Sequence, residues 1–204
     1  MQSGLYIIGT PIGNLSDMSP RAIETLQNAD LIAAEDTRVF GKLAQHFNIK
    51  TKVISCHEHN ERDVVDSLVE KIQSGMAIAT VSDAGMPGVS DPGFRLIRAA
   101  RLADVPVFVV PGPTAAISAL VLSGFPTDRF TFCGFFDEKK VRDDNKIRHT
   151  IIYYESPNRI MNTIKILASV MPERQIAIVR EITKIHEETI IGYPADLINI
   201  GPPR

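Results

Sequence analysis

The chain has 204 residues, a length that allows either one large α/β domain or two small lobes. Apolar residues make up 44% of it and charged residues 23%, which excludes a disordered, collagen-like or membrane-embedded protein. Lys and Arg number 22 against 24 Asp and Glu, a formal charge of −2. Nucleic acid would therefore have to bind a local basic patch, because the protein has no general positive field.

The cysteine content and the N-terminal sequence indicate the cellular compartment of the protein. Cys56 and Cys133 are too far apart for a Cys-x-x-Cys metal site, and two cysteines are too few for a disulfide framework, which favours reducing conditions. The start of the chain, MQSGLYIIGTPIGN, has no basic region and only a short apolar run, unlike a signal peptide or a membrane span. We expect a cytoplasmic protein with buried cysteines.

Short apolar runs alternate with helical stretches in the first half of the chain, which predicts an α/β fold with a mainly parallel sheet. The predicted strands are residues 5–9, 31–34, 52–56, 76–81 and 106–110. Apolar positions at helical spacing predict a helix over residues 60–74 with one face on the sheet. Ser19, Asp91 and Ser156 each precede a proline and are predicted to be N-cap residues.

A break in the pattern divides the chain. The apolar residues 114–122 predict a buried helix, and Gly124-Phe125-Pro126 then interrupts the pattern. We therefore divide the chain into an N-terminal lobe, residues 1–123, and a C-terminal lobe, residues 124–204. The second lobe is predicted to hold a mixed sheet around a helix at residues 157–170, with strands at residues 129–134, 150–155, 176–180 and 188–191. The charged residues 138–149 predict an exposed, mobile loop.

Five turns that follow predicted strands carry the candidate site, because ligands of open α/β sheets bind beyond the carboxyl ends of the strands. They are the first turn (residues 10–14), the acidic turn (35–38), the HEHNE turn (57–61), the glycine turn (82–93) and the PGP turn (111–115). The glycine turn has glycines at positions 85, 88 and 93, which let backbone N–H groups approach a ligand closely. A plain connector is the alternative interpretation of that turn.

Several kinds of site are disfavoured. The sequence contains neither GxGxxG nor GxxxxGK[ST], so a NAD-type or P-loop site loses most of its support. His57 and His59 next to carboxylates offer possible metal ligands, but a third ligand cluster is lacking, and we expect no metal. The acidic turn is typical of a helix start, where negative charge favours the helix dipole, while Arg38 leaves phosphate binding open.

Eight segments occur in a characteristic order: TPIGNL, AEDTR, SCHEHNE, VSDAGMPGVSDPG, VPGPTA, SGFPTDRF, YYESPNR and REITKIHEE. Together they resemble the ribosomal RNA small subunit methyltransferase I family of the tetrapyrrole methylase superfamily. The resemblance implies a two-lobed methyltransferase that uses S-adenosyl-L-methionine (SAM), is a homodimer and holds SAM in the cleft between its lobes. The implied reaction is methylation of the 2′-hydroxyl of a cytidine ribose in small-subunit ribosomal RNA.

The resemblance also implies site residues. Those expected to contact SAM are Pro11, Asp83, Ala84, Gly85, Thr114 and Ala115. From their residue types and their positions in the turns, rather than from the resemblance, we expect the residues that bind the RNA substrate to be Glu35, Asp36, Arg38, Asn60 and Arg159. A base or acceptor is needed for the ribose proton, and His57 oriented by Glu61 leads the candidates, with Glu35 and Asp36 as others. Lys184 is a further candidate base, for which phosphate contact is the alternative.

Two departures from the family pattern concern length. Family members continue beyond the point where this chain stops, and residues 138–149 are shorter than the usual basic linker. We therefore expect a truncated chain with residues missing near 140–146. Two other functions stay open: a small-molecule tetrapyrrole C-methylase, against which the AEDTR and HEHNE turns argue, and a non-catalytic RNA-binding or ribosome assembly module.

Overall fold

The computed structural model describes residues 1–200, and the chain divides into two compact units, Met1–Thr114 and Ala115–Arg204. This division precedes the one that we expected at Gly124, so the predicted buried helix belongs to the second unit. Packing explains the difference, because Ala116 and Leu120 of that helix join Ile152 in one apolar cluster.

The first unit contains a five-stranded sheet in the order β3-β2-β4-β1-β5, and all its pairs are parallel. Its strands are β1 (Gly4–Ile8), β2 (Leu31–Ala34), β3 (Val53–Ser55), β4 (Ala77–Val81) and β5 (Val107–Val110). Every residue of β2 and β4 is buried, as expected for a parallel sheet with both faces covered. The predicted parallel α/β fold is confirmed, with each strand bounded within one residue of its expected ends.

Helices cover both faces of this sheet: α1 (Pro20–Asn28), α2 (Thr37–His46), α3 (Glu61–Gln73) and α4 (Phe94–Leu102). Successive strand residues point to opposite faces, and accordingly Ile32 and Ala33 belong to different apolar clusters. Ile32 packs in the cluster that contains Leu26 and Phe40. Ala33 packs in the cluster that contains Leu68 of α3.

The second unit contains α5 (Ala115–Ser123), β6 (Phe130–Phe135), α6 (Val141–Asp144), β7 (Thr150–Tyr154), α7 (Ile160–Val170), β8 (Ile176–Arg180), β9 (Glu188–Gly192) and α8 (Pro194–Leu197). Strands β6 and β7 form a parallel pair, and β8 and β9 form an antiparallel pair. The predicted mixed character of this lobe is confirmed, in the form of two two-stranded sheets. Within residues 1–200, no helix is both long enough and apolar enough to cross a bilayer.

The predicted loop at residues 138–149 contains the short helix α6, although most of its charged residues are exposed as predicted. Val141 of α6 is only 1% exposed and packs with Phe136 and Met171. The Asn145 side chain donates to the carbonyl of Val170 at 2.9 Å. Residues 140–146, where we expected missing residues, therefore form a helical turn packed against the second unit. Burial of the Val141 side chain holds this turn in place although its neighbours are charged.

One of the three predicted N-caps is confirmed. Ser19 Oγ accepts from the N–H of Ala22 at 3.1 Å, and Pro20 is the first residue of α1. Helix α4 instead begins after Gly93, and α7 begins after Arg159. The Asp91-Pro92 and Ser156-Pro157 pairs lie one turn too early, in the loops that lead to those helices.

Candidate active site

The first turn and the glycine turn are joined by their backbones. Thr10 donates its N–H to the carbonyl of Gly85 at 2.9 Å, and Gly85 donates to the carbonyl of Thr10 at 3.1 Å. The Thr10 hydroxyl also donates to the carbonyl of Ser82 at 3.1 Å. Pro11, which follows immediately, is buried. The ends of the neighbouring strands β1 and β4 thus form one connected surface.

The PGP turn lies against the first turn, because Gly9 and Gly112 approach each other closely. A Cβ added to Gly9 would lie 2.6 Å from both Cα and N of Gly112, which no side chain tolerates. A Cβ on Gly85 would lie 3.4 Å from the carbonyl oxygen of Pro113. The glycines therefore allow the first, glycine and PGP turns to converge at the carboxyl edge of the sheet.

The convergence collects five of the six residues expected to contact SAM, which are Pro11, Asp83, Ala84, Gly85 and Thr114. Asp83 and Ala84 are exposed, whereas Gly85 is buried with a φ of +78°, a conformation that favours glycine. The sixth residue, Ala115, begins α5 in the second unit. Their role in binding SAM stays a prediction.

Glu35 and Asp83 tie the acidic turn to the glycine turn. Glu35 Oε2 accepts from the N–H of Asp83 at 3.2 Å, and Asp83 Oδ1 accepts from the N–H of Asp36 at 3.1 Å. The two turns follow the paired strands β2 and β4, which explains why residues so far apart in sequence meet. Two carboxylates are therefore held beside the converging turns.

The surroundings make these carboxylates better proton acceptors. Burial raises the pKa of Glu35, although its bond from the Asp83 N–H acts in the opposite direction. Burial likewise raises the pKa of Asp83. Burial, followed by the charges of Glu35 and Asp83, raises the pKa of Asp91 to about 6. Asp91 escaped the sequence reasoning because its place before a proline was attributed to helix capping.

The acidic turn is a helix start, as one of its two interpretations predicted, and phosphate binding by Arg38 stays a prediction. Asp36 is the N-cap of α2, and its Oδ1 accepts from the N–H of Arg38 at 2.8 Å. The guanidinium of Arg38 also donates to both carboxylate oxygens, with Nε at 3.1 Å and Nη2 at 2.7 Å. This pairing holds the pKa of Asp36 well below its usual range. The Arg38 side chain is still 88% exposed, so it can also meet a phosphate.

The geometry does not support His57 as a general base. The N–H of Asn60 donates to His57 Nδ1 at 3.2 Å, so Nδ1 has no proton and neutral His57 has its proton on Nε2. One ring nitrogen is thus occupied, and the other is a donor. Asn60 in turn accepts from the His57 N–H at 2.8 Å and donates to the carbonyl of Ser55 at 3.1 Å, which leaves little of its side chain for a substrate.

Glu61 does not orient His57 either. Its side chain is buried, and Oε1 accepts from three backbone N–H groups at the start of α4, those of Gly93 at 3.2 Å, Arg95 at 3.1 Å and Leu96 at 3.2 Å. Because Gly93 at the N-cap position has no side chain, Glu61 supplies the acceptors that a capping residue would otherwise offer. The expected catalytic role of Glu61 is replaced by a structural one.

The remaining predicted residues lie in the second unit, in ion pairs. Arg159 Nη2 lies 2.8 Å from Glu155 Oε1, and Lys184 Nζ lies 3.1 Å from Glu181 Oε1. Both basic side chains are about half exposed. Lys184 belongs to a turn in which Glu181 and Thr183 have positive φ values of 51° and 67°. Such exposed, paired cations fit phosphate contact better than proton abstraction.

Among residues 1–200, no group of three or more His, Cys, Asp or Glu side chains is placed to hold a metal ion. The rings of His57 and His59 lie 5.9 Å apart and meet edge to face.

Comparison with known proteins defines the class. The sequence model of the tetrapyrrole (corrin/porphyrin) methylases matches residues 4–197. A solved structure of uroporphyrin-III C-methyltransferase from Thermus thermophilus, complexed with S-adenyl homocysteine, has a TM-score of 0.66 at 18% identity and covers 98% of this chain and 92% of that one. This structure shows the shared fold. The chain belongs to the tetrapyrrole methylase family.

Relatives with higher sequence identity indicate which members of this family the chain resembles most. A protein from Synechocystis is 49% identical over 191 residues, which are 90% of this chain and 68% of the relative. A protein from Vibrio cholerae is 48% identical over 202 residues, which are 95% of this chain and 70% of the relative. Both are named ribosomal RNA small subunit methyltransferase I. The family resemblance carried by the eight ordered segments is thereby confirmed.

Proposed function

We propose that this protein is a SAM-dependent methyltransferase that methylates the 2′-hydroxyl of a cytidine ribose in small-subunit ribosomal RNA. The observation that carries the proposal is the near-half identity, over at least 90% of the chain, to two proteins named for that ribosomal RNA. Support for a tetrapyrrole substrate is weaker, because the structure named for one is only 18% identical. The proposed location is the cytoplasm, where ribosomal RNA is available.

The converging turns fit SAM. Pro11, Asp83, Ala84, Gly85 and Thr114 offer backbone groups and an acidic side chain at one sheet edge, and Ala115 follows directly. When bound, SAM supplies a methyl group on a positively charged sulfur. The carboxylates of Asp83 and Glu35 provide a negative environment that favours such a cation. Holding the methyl donor in line with the acceptor oxygen then accounts for much of the rate.

Glu35 is the acceptor for the ribose proton in this proposal. It is half-buried, burial raises its pKa, and only Oε2 is needed for its bond to the Asp83 amide. A carboxylate of raised pKa is a better proton acceptor at neutral pH. Asp36 is less suitable, because Arg38 occupies both of its oxygens.

RNA contact is assigned to exposed cations rather than to the whole surface. Arg38 in the first unit, and Arg159 and Lys184 in the second, each present a charged group beside a carboxylate partner. Phosphate oxygens can compete for these donors when RNA binds. Asp36 and Asn60 act on the substrate indirectly, by positioning Arg38 and the HEHNE turn.

The protein is also proposed to be a homodimer. Helix α5, with the sequence AAISALVLS, leaves Ile117 and Val121 45% and 67% exposed, and these residues share one helix face. Exposed apolar faces of this kind mark protein interfaces. Sedimentation at several concentrations tests the dimer, and a Val121→Lys variant that remains as dimeric as the parent protein would contradict this choice of face.

Activity is tested with small ribosomal subunits and with naked ribosomal RNA from cells that lack this protein, each incubated with SAM labelled in the methyl group. Mass spectrometry of nuclease fragments then identifies the modified atom. The proposal requires a methyl group on the ribose oxygen of a cytidine. Methylation of a base, or transfer to a tetrapyrrole with none to RNA, would overturn it.

A further inference from the structure

The start of α4 carries an exposed surface formed by Val89, Phe94, Arg95 and Arg98, here called the α4 surface. Phe94 is the first residue of α4 and is 61% exposed, and Val89 of the glycine turn is 44% exposed. Arg98 is also exposed and lies on the same helix face as Phe94, because residues four apart are neighbours on a helix. An aromatic ring and cations are thus presented together to solvent.

The positive charge of this surface is not balanced locally. Helix α4 contains three arginines and no acidic residue, in a chain with a formal charge of −2. Arg95 lies in the first turn, where the helix dipole disfavours a cation, and its Nε is 3.8 Å from Glu61 Oε2. Within residues 1–200, no carboxylate lies at ion-pair distance from Arg98. The α4 surface is therefore a local basic patch.

The opposite face of α4 is already used for packing. Leu96 and Ala100 are fully buried and belong to the apolar cluster that contains Leu68 of α3. A helix that lies on a membrane needs a free apolar face, which α4 does not have. Phe94 and Arg98 point away from this core, so replacing either should cost little stability.

The α4 surface adjoins the candidate active site. Helix α4 follows the glycine turn and so begins at the carboxyl edge of the sheet. Asp91, three residues before Phe94, is close enough to Glu35 and Asp83 to feel their charges. Arg101 lies in the last turn of α4, toward the amino edge of the sheet, and is not part of this surface. A ligand on Phe94 and Arg98 would therefore lie beside the converging turns.

The chemistry of the α4 surface suits an unpaired nucleotide. Aromatic rings stack on unpaired bases, and a guanidinium binds phosphate oxygens. Residues four apart on a helix have Cβ atoms about 5–6 Å apart, which lets one nucleotide use both Phe94 and Arg98. A second copy of the chain fits less well, because a two-fold axis would bring this basic patch against itself.

We propose that the α4 surface binds an unpaired nucleotide next to the methylated cytidine, with its base stacked on Phe94 and its phosphates held by Arg98 and Arg95. The identity of the RNA rests on the proposed function. The new element is a second nucleotide, bound through its base as well as through phosphate. The acidic turn and the cations of the second unit offer phosphate contacts only.

The test of stacking uses fluorescein-labelled oligocytidine RNA of about twelve nucleotides, with binding measured by fluorescence anisotropy. Phe94→Ala should raise the Kd about fivefold or more without changing the salt dependence, and Phe94→Trp should keep the parent Kd or lower it. Leu102→Ala, at the exposed apolar residue that ends α4, is the control and should leave the Kd unchanged. An abasic oligomer of the same length should bind the parent protein and Phe94→Ala equally.

The test of phosphate contact uses Arg98→Ala. This variant should lower the slope of log K against log salt by about one, whereas Arg21→Ala, at an exposed arginine in the first turn of α1, should not. The proposal would be overturned if the parent protein did not bind the oligomer at low salt, if Phe94→Ala kept the parent Kd, or if it weakened binding of the abasic oligomer equally. Dissociation of a dimer by Phe94→Ala in sedimentation would overturn it as well.

Methyl transfer to ribosomal RNA, measured with the same preparations, separates this inference from the proposed function. RNA methylation by the parent protein together with a Kd that does not depend on Phe94 would overturn the α4 surface alone. Binding that depends on Phe94 and on the bases, without methylation of RNA, would overturn the proposed function and leave the α4 surface as a site for unpaired RNA.

Discussion

Glu61 and Gly93 are separated by 32 positions in the chain, yet the buried carboxylate of Glu61 accepts the N–H of Gly93 at 3.2 Å. Glu61 is the last residue of the HEHNE turn and the first of α3, and Gly93 ends the glycine turn. The bond fixes the far end of the glycine turn to a different helix. A change at Glu61 should therefore reach the glycine turn through the backbone.

Removing the Glu61 carboxylate should destabilise the protein. Glu61→Ala leaves three N–H groups, two of them in buried bonds, with no side-chain acceptor, and we expect a loss of about 3 kcal/mol in the free energy of unfolding by urea. Glu61→Gln keeps an acceptor and should lose about half as much. Asp63→Asn, on the exposed side of the same turn, is the control. Equal stability of Glu61→Ala and the control would contradict the capping role.

Gly85 should be intolerant of even the smallest side chain. Its φ of +78° costs a non-glycine residue about 1–2 kcal/mol, so Gly85→Ala should lose stability and weaken SAM binding in calorimetry. Gly41 is the matched comparison, because it lies inside α2 and an added Cβ meets nothing within 4 Å. Gly41→Ala should gain about 0.5–1 kcal/mol. Unchanged SAM affinity in a folded Gly85→Ala protein would remove the glycine turn from the site.

Glu35 should control the chemical step. Glu35→Gln keeps an oxygen for the Asp83 amide but cannot accept a proton, so we expect the single-turnover rate to fall about a hundredfold or more. The Kd for SAM should rise far less than the rate falls, because the Asp83 carboxylate still favours the cation. His57→Asn retains a side-chain acceptor near the Asn60 amide and should stay within about threefold of the parent rate. The reverse ranking of these two variants would restore His57 as the base.

Asp91 should make stability depend on pH. Its folded-state pKa of about 6 exceeds the ordinary value of 3.8, so between these values the folded protein keeps a proton that the unfolded chain has released. Stability therefore falls as pH rises through this window. Asp91→Asn removes the effect and should be more stable than the parent by about 1 kcal/mol at neutral pH, since solvent screens part of it, with no difference near about pH 3.

The measurement for Asp91 is urea unfolding at acidic and neutral pH. Asp66→Asn, an exposed change on α3, provides the control for any general effect of removing one negative charge. If Asp91→Asn were more stable than the parent protein by the same free energy at both pH values, packing and not ionisation of Asp91 would be responsible.

Arg38 should contribute to RNA affinity through phosphate. Arg38→Ala is expected to reduce the salt dependence of RNA binding by about one unit in the slope of log K against log salt, with SAM affinity unchanged. Arg101→Ala, an exposed arginine in the last turn of α4, is the control. If Arg38→Ala weakened SAM binding as much as RNA binding, Arg38 would belong to the cofactor site.

Local sequence patterns were sufficient to predict the strands of the first unit and helix α3, and to identify the family. Alternation of apolar runs with polar turns located each strand of the first unit, because burial on both faces of a parallel sheet demands continuous apolar residues. The Ser19-Pro20 start of α1 was likewise readable, since its hydrogen bond lies within one turn. The order of eight short segments identified the family, and seven of the eight include the turn that follows a strand, where ligands of such sheets bind, whereas SGFPTDRF joins α5 to β6.

Pairing between distant residues needed the tertiary structure. Sequence placed Glu61 beside His57, but its buried carboxylate caps α4, because the folded sheet brings α3 and α4 together. Sequence attributed Asp91 to capping and missed the charges of Glu35 and Asp83 that raise its pKa. The hydrogen bonds and the burial of a charged side chain depend on residues that are distant in sequence and close in the folded protein. The sequence therefore identified the candidate residues, and the tertiary structure determined the role of each.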